Sequence, residues 1–250
     1  MTAVSARPRL DDLLVTRGFY PSRSRARDAI LRGAVSVDGV VVMRPGRAVD
    51  GTASIALTDP ARAYVGRGAL KLAAGLDGFS LSPAGLDCLD VGASTGGFTQ
   101  LLLERGAAHV TAIDVGHGQL APQLAADPRV TSLEGLNARD LRLAHLKVAP
   151  AFLAADVSFI SLKLAMPAAL SLAAPGAACI LLVKPQFEAG RAAIGKGGLL
   201  RDSALAERIA ADLAAWLDAE PRWRALGILP SPIEGGNGNR EFLLAGTKDR

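Results

Sequence analysis

Long apolar runs are missing from this 250-residue chain. No window approaches the roughly 20 apolar residues that a spanning helix requires, so the sequence predicts no membrane helix. The stretch Met1 to Arg9 is basic, with no apolar segment behind it, and does not read as a secretory signal. The expectation is a cytoplasmic protein. Cysteine is scarce: Cys88 and Cys179 both lie in apolar runs. That excludes a disulfide framework and predicts two small buried side chains in a reducing compartment. The three histidines are scattered, and no spacing suggests a metal site. Lysine is rare too, with six against 22 arginines. No internal repeat is evident. Half of the residues are hydrophobic, enough for a packed core.

The net charge of +4 is unevenly placed. Residues 1–50 hold nine arginines against five aspartates, so the whole excess belongs to the first fifth of the chain. A basic patch concentrated at one end predicts a polyanionic partner. Leu10, Leu13 and Leu14 have helical spacing, and Gly18 can close that helix. Ser22 is a good N-cap for a second helix reaching about Arg32. Residues 34–37, Asp38-Gly39 and Val40 to Val42 predict a β-hairpin. Arg23 and Arg27 are four apart on one face of the second helix, a presentation suited to phosphates. The stretch RLDDLLVTRGFYPSRSRARDAILRGAVSVDGVVV resembles the alpha-L RNA-binding domain. That resemblance implies contact with folded RNA through the second helix, chiefly by Arg23, Arg25 and Arg27, with Arg9, Arg32 and Arg67 as further contacts.

Residues 50–65 show little periodicity, so a boundary near 60 is expected, giving domains of 1–60 and 61–250. Beyond it, strand and helix patterns alternate. Strands are predicted at 87–91, 109–113, 130–133, 152–157, 178–183, 223–228 and 241–245, with helices at 97–105, 163–173 and 202–218. Such alternation predicts a mostly parallel sheet covered by helices on both faces.

Leu89-Asp90-Val91-Gly92-Ala93-Ser94-Thr95-Gly96-Gly97-Phe98-Thr99 falls where the first strand of that sheet turns into a helix. A dinucleotide site favours G-x-G-x-x-G, with a pyrophosphate on the helix N-terminus. This spacing is G-x-x-x-G-G, with an aspartate two residues ahead. A carboxylate there suits a cationic, phosphate-free ligand, and S-adenosylmethionine is one. Asp114, at the end of the second strand, suits a pair of ribose hydroxyls. Asp90, Gly92, Ala93, Ser94, Thr95, Gly96, Gly97, Phe98, Asp114, Asn137 and Asp156 are the candidate cofactor residues.

Four further motifs stand out: GRGALKL at 66–72, ADVSFISL at 155–162, VKPQFE at 183–188 and GNREF at 238–242. Open parallel sheets bind ligands beyond the carboxyl ends of their strands, where Asp156 and Lys184 are expected on neighbouring strands. Together with DVGASTGGFTQ, ADVSFISL and VKPQFE make the whole chain resemble the TlyA (haemolysin A) family, which joins an alpha-L domain to an FtsJ-like ribose methyltransferase domain. The fold so implied is α/β, a Rossmann-like methyltransferase sheet behind a small N-terminal α+β RNA-binding domain. The implied activity is methyl transfer from S-adenosylmethionine to the ribose 2′-hydroxyl of cytidine in ribosomal RNA. The partners expected are ribosomal RNA or ribosomal subunits and no membrane, and nothing in the sequence demands more than a monomer.

The resemblance also implies a Lys-Asp-Lys-Glu tetrad, which falls on Lys71, Asp156, Lys184 and Glu241. Where the family reads SRGGLKL, this chain has GRGALKL. A ribose hydroxyl needs a base, and a lysine serves only when its neutral form is accessible, which burial and a second cation favour. In this reading Lys184 takes the proton and Asp156 orients it. Lys71 positions the ribose, and Glu241 holds Lys71 or the ribose. Residues 190–198, with Arg191 and Lys196, read equally as a lid over the RNA or as a plain solvated loop. Other readings are a haemolysin, a binding-only ribosome-assembly factor and an RNA base methyltransferase. The last is disfavoured because no Cys or Asn-Pro-Pro-type motif ends the fourth strand.

Overall fold

The computed structural model describes residues 7–202, 204–235 and 238–250. Most of the basic leader, residues 1–6, and Ser203 within the 202–218 helix pattern lie outside the described residues. Ser22 opens the second helix as its sequence predicts, its hydroxyl accepting from the backbone N–H of Arg25 at 3.3 Å. The chain divides into two compact units, Met1–Ala63 and Tyr64–Arg250.

In the first unit, helices α1 (Leu10–Thr16) and α2 (Arg23–Leu31) pack on a three-stranded antiparallel sheet of β1 (Val35–Val37), β2 (Val40–Val41) and β3 (Ile55–Leu57), ordered β2-β1-β3. Asp38 and Gly39 both take positive φ, +49° and +80°, as a two-residue hairpin turn demands. Strand β3 falls inside the stretch that reads as linker. Its three residues are too few for periodicity to register, and pairing with β1 supplies what local pattern does not. Leu10, Leu14, Ala26, Ile30 and Val35 are fully buried between the layers.

The second unit is a seven-stranded sheet ordered β6-β5-β4-β7-β8-β10-β9. The strands are β4 (Asp87–Val91), β5 (His109–Asp114), β6 (Val130–Glu134), β7 (Phe152–Ala155), β8 (Ala178–Val183), β9 (Trp223–Pro230) and β10 (Phe242–Lys248). The first five are parallel, and β10 pairs antiparallel with both β8 and β9. Helices α3 (Gly68–Gly78) and α4 (Gly97–Glu104) accompany one buried cluster, with Cys88, Phe152, Ala154, Ile180 and Leu182. Helices α6 (Leu162–Ala165), α7 (Pro167–Leu172) and α9 (Ala204–Ala219) accompany the other, with Leu89, Leu153, Leu181 and Val183. The alternation along each strand sorts its side chains between the two. Short α5 (Pro122–Ala125) follows β5, and α8 (Pro185–Glu188) follows β8.

The single helix predicted at 163–173 is broken. Pro167 has no N–H to continue the ladder, so α6 ends at Ala165 and α7 starts afresh. Strand β7 stops at Ala155, two residues short of its expected end, which frees Asp156 and Val157 for the loop beyond. β10 begins at Phe242, so Glu241 stands just ahead of the strand. Both cysteines are buried and free, and burial raises both thiols, Cys88 to about 12. No helix among the described residues is long and apolar enough to cross a membrane.

Candidate active site

The strand order reverses at β4. From there the chain runs outward to β5 and β6, then returns to β7 on the other flank. A crevice at such a reversal is where open α/β sheets hold ligands. Gly92, just past β4, has φ +84°, and a Cβ there would lie 2.7 Å from the Asp156 carbonyl oxygen. Glycine is thus required twice, by conformation and by close approach. Gly96 takes φ +96° at the start of α4, where a Cβ would meet Leu124 at 2.4 Å.

Beyond the turn lies a cavity of about 500 Å³, whose lining includes Gly92, Ser94, Asp114, Gln119, Asn137 and Asp156. Asp114 is aimed by its loops. Its Oδ2 accepts from the Ser94 N–H and its Oδ1 from the Gly116 N–H, both at 2.8 Å. The Asn137 side chain accepts from the Arg139 N–H at 3.1 Å while lining the cavity. Asp90 is fully buried. Its Oδ2 accepts from the Thr99 hydroxyl at 2.6 Å, while Oδ1 has no hydrogen-bond partner among the described residues. Burial pushes this carboxyl up to about 7, against the Thr99 hydrogen bond and with help from the Asp156 and Asp114 charges. The remaining loop residues do other work. Ala93 hydrogen-bonds the Ile113 carbonyl through its N–H, and the Thr95 hydroxyl donates to the Val65 carbonyl. Phe98 is a core side chain packed where Gly68 passes. Gly97 lets the Gly66 carbonyl approach, since a Cβ there would lie 2.9 Å from it.

Beside the cavity the structure brings together two lysine–carboxylate pairs. Lys71 on α3 donates to Glu241 Oε2 at 2.5 Å, across 170 residues of sequence, and both side chains are buried. Lys184 follows β8, whose last residue pairs with Phe242, so Lys184 and Glu241 flank adjacent strand ends. Lys184 Nζ donates to Ser158 Oγ at 2.7 Å and stands 2.5 Å from Asp156 Oδ1. The second approach is a close ion-pair contact. A Cβ on Gly68 would lie 3.2 Å from Asp156 Oδ2, so the first turn of α3 closes on the same spot. Gly66, at the family's serine position, is where a Cβ would press on Thr95 Oγ1 at 2.9 Å.

Sequence reasoning singles out only Asp156 from ADVSFISL and only Lys184 from VKPQFE. The structure adds Ser158, on the Lys184 amine, and Phe159. Phe159 is 90% exposed at φ +65°, lines the cavity and lies 5.0 Å from the Phe187 ring. A bulky residue in that conformation is a genuine outlier, and no periodicity signals it. Sequence reasoning also misses Thr99 and Gln119, which receives the Ser94 hydroxyl at 3.1 Å.

The arginines of the first unit differ in how they are committed. Arg32 is paired with Asp28 and with buried Asp59 at 2.8 Å. Arg9 and Arg23 share Asp11 and Asp12, and the hydrogen bond from Arg9 holds the Asp11 carboxyl low. Arg25 reaches the Ala61 carbonyl at 3.1 Å. Arg27 is exposed. In the second unit Arg67 stands half-buried at the start of α3.

Comparison with known proteins agrees with this architecture. The FtsJ-like methyltransferase model matches residues 64–248, and the S4 domain model matches residues 8–55. The chain is 45% identical to the 16S/23S rRNA (cytidine-2′-O)-methyltransferase TlyA of Mycobacterium tuberculosis, over 96% of this chain and 90% of that protein. It is 38% identical to Hemolysin A of Brachyspira hyodysenteriae, over 94% and 98% of the two chains. A solved structure titled as a putative hemolysin from Streptococcus thermophilus superposes with a TM-score of 0.75 at 38% identity, covering 98% of this chain and 89% of that one. The chain therefore belongs to the TlyA group of FtsJ-like methyltransferases, with an S4 domain at its N-terminus.

Proposed function

We propose that this protein transfers a methyl group from S-adenosylmethionine to the ribose 2′-oxygen of a cytidine in ribosomal RNA. The observation that carries the reading is a lysine amine, Lys184, held against Ser158 and Asp156, which line a cavity whose wall also carries Asp114. The cavity suits a cationic, phosphate-free cofactor. Asp90 keeps a buried acceptor oxygen without a partner among the described residues, and Asp114 presents a carboxylate at the cavity wall. Asp90 would hold the cofactor's amino group and Asp114 its ribose hydroxyls, with Asn137 and Gln119 along the wall. The cofactor when bound supplies an electrophilic methyl on a sulfonium.

The protein's own part is to deliver a nucleophile. Lys184, as the neutral amine, accepts the 2′-hydroxyl proton. Asp156, 2.5 Å from the amine, stabilises the ammonium that results. Lys71, clamped by Glu241, supports the developing alkoxide. Holding the reacting atoms in line at about 3 Å is itself worth several kcal/mol. Phe159 offers an exposed ring on which an unstacked base can lie. The S4 domain brings the RNA, through arginine contacts to phosphates, among them Arg23, Arg25 and Arg27.

The test is to incubate the protein and tritiated S-adenosylmethionine with unmethylated ribosomal subunits and with free ribosomal RNA. Label confined to an alkali-resistant 2′-O-methylcytidine is expected. Label on a base, or none despite cofactor binding, overturns the reading.

A further inference from the structure

We infer that Ser158 is a positioning residue for the Lys184 amine, aiming its lone pair at the acceptor hydroxyl; this rests on the reading of Lys184 as the base. Two carboxylates and a second lysine surround this corner of the site, so Asp156 is the obvious candidate to orient the amine. The geometry adds a second, neutral partner. Asp156 Oδ1 stands 2.5 Å from Nζ and supplies the countercharge. The directed hydrogen bond of the amine runs to Ser158 Oγ at 2.7 Å. A point charge attracts an ammonium from any angle, whereas a hydroxyl oxygen fixes one N–H vector. With one N–H fixed, rotation of the amine is reduced to a choice of where its lone pair points.

Ser158 is also in the right place to do this. It lines the cofactor cavity together with Val157 and Phe159, so the bond to Lys184 runs between the cavity wall and the strand end behind it. The loop that carries it is pinned. Glu188, four residues after Lys184, accepts from the Ser161 hydroxyl at 2.5 Å and from the Leu162 N–H at 2.8 Å. Phe159 rests on Phe187, 5.0 Å between centroids. The loops after β7 and β8 are thus tied together, and Ser158 is the neutral tie that touches the amine. A serine two residues past the aspartate is therefore part of the geometry that makes a flexible lysine a directed base.

The test compares Ser158→Ala and Ser158→Thr with wild type and with Lys184→Ala. Ser158→Ala is expected to lower kcat by about tenfold or more, the scale of a misplaced catalytic group, with the KM for RNA and the Kd for S-adenosylmethionine unchanged. Ser158→Thr, which keeps the hydroxyl, restores turnover. In a Lys184→Ala background the serine substitution has no further effect, because it acts through the amine. Wild-type kcat in Ser158→Ala, while Lys184→Ala is inactive, overturns the serine's role and leaves the base intact. A loss that follows cofactor affinity instead of kcat overturns it equally, as a packing effect. Wild-type turnover in Lys184→Ala removes the base assignment and the inference with it.

Discussion

Two lysine–carboxylate pairs stand at one end of the same sheet, with the same 2.5 Å separation, and their surroundings give them different work. The side chains of Lys71 and Glu241 are 5% and 2% exposed; those of Lys184 and Asp156 are 12% and 23% exposed. The first pair joins α3 to the residue preceding β10 and has traded its solvent for one partner. Such a pair contributes little net stability while intact but is expensive to break, because the survivor is a buried, uncompensated charge. The second pair keeps an opening onto the cavity and a neutral partner, Ser158, on the amine. A buried pair fixes a backbone; an open pair can exchange a proton with a substrate.

That contrast can be broken experimentally. Lys184→Ala should lower kcat by roughly 10²–10⁴, the range for loss of a general base, with thermal unfolding close to wild type. Glu241→Ala should instead destabilise the fold by about 3–5 kcal/mol, by leaving Lys71 buried and unpaired, read as a lowered Tm. Replacing both members by Lys71→Met and Glu241→Leu should recover stability without recovering turnover. A stable, active double variant would show that the buried pair is only a clamp.

Asp90 sharpens the comparison between a buried carboxyl with a countercharge and one without. Its carboxyl is raised from 3.8 to about 7 by burial. The folded state therefore holds the proton more tightly than the unfolded chain, and this residue's contribution to stability falls as pH rises from about 4 to about 7. A cationic cofactor prefers the ionised form, so affinity for S-adenosylmethionine should fall below about pH 7, approaching tenfold per pH unit. Titration calorimetry on either side of that pH reads this, and Asp90→Asn should flatten the dependence.

The smallest effect belongs to the first unit, where Arg32 is paired inside and Arg27 is exposed. Arg27→Ala should weaken RNA binding uniformly across sequences and reduce the slope of log affinity against log salt by about one. Arg32→Ala should lower stability by leaving Asp59 without its cation.

Local chemistry explains which features the sequence makes legible. The turn at Gly92–Gly97 is readable because positive φ and close approach admit little but glycine. Asp90 and Asp114 are located from it by strand periodicity. The N-cap at Ser22 and the Asp38-Gly39 turn are equally local. The partnership of Lys71 with Glu241 spans 170 residues and is legible through motif resemblance alone, since no spacing rule connects them. Ser158 and Phe159 are silent in sequence although they sit inside a motif that stands out. Their roles depend on where the loop after β7 meets the loop after β8, which is settled by packing. Strand β3 and the break at Pro167 show the same divide: tertiary pairing made the first, and one missing N–H, which the sequence does print, made the second.

The most direct test of the central claim is chemical rescue of single-turnover methylation in Lys184→Ala, with saturating S-adenosylmethionine and ribosomal RNA. The open lysine as base predicts a rate far below wild type that rises with added small primary amines. Wild-type single turnover in that variant without any amine would contradict it.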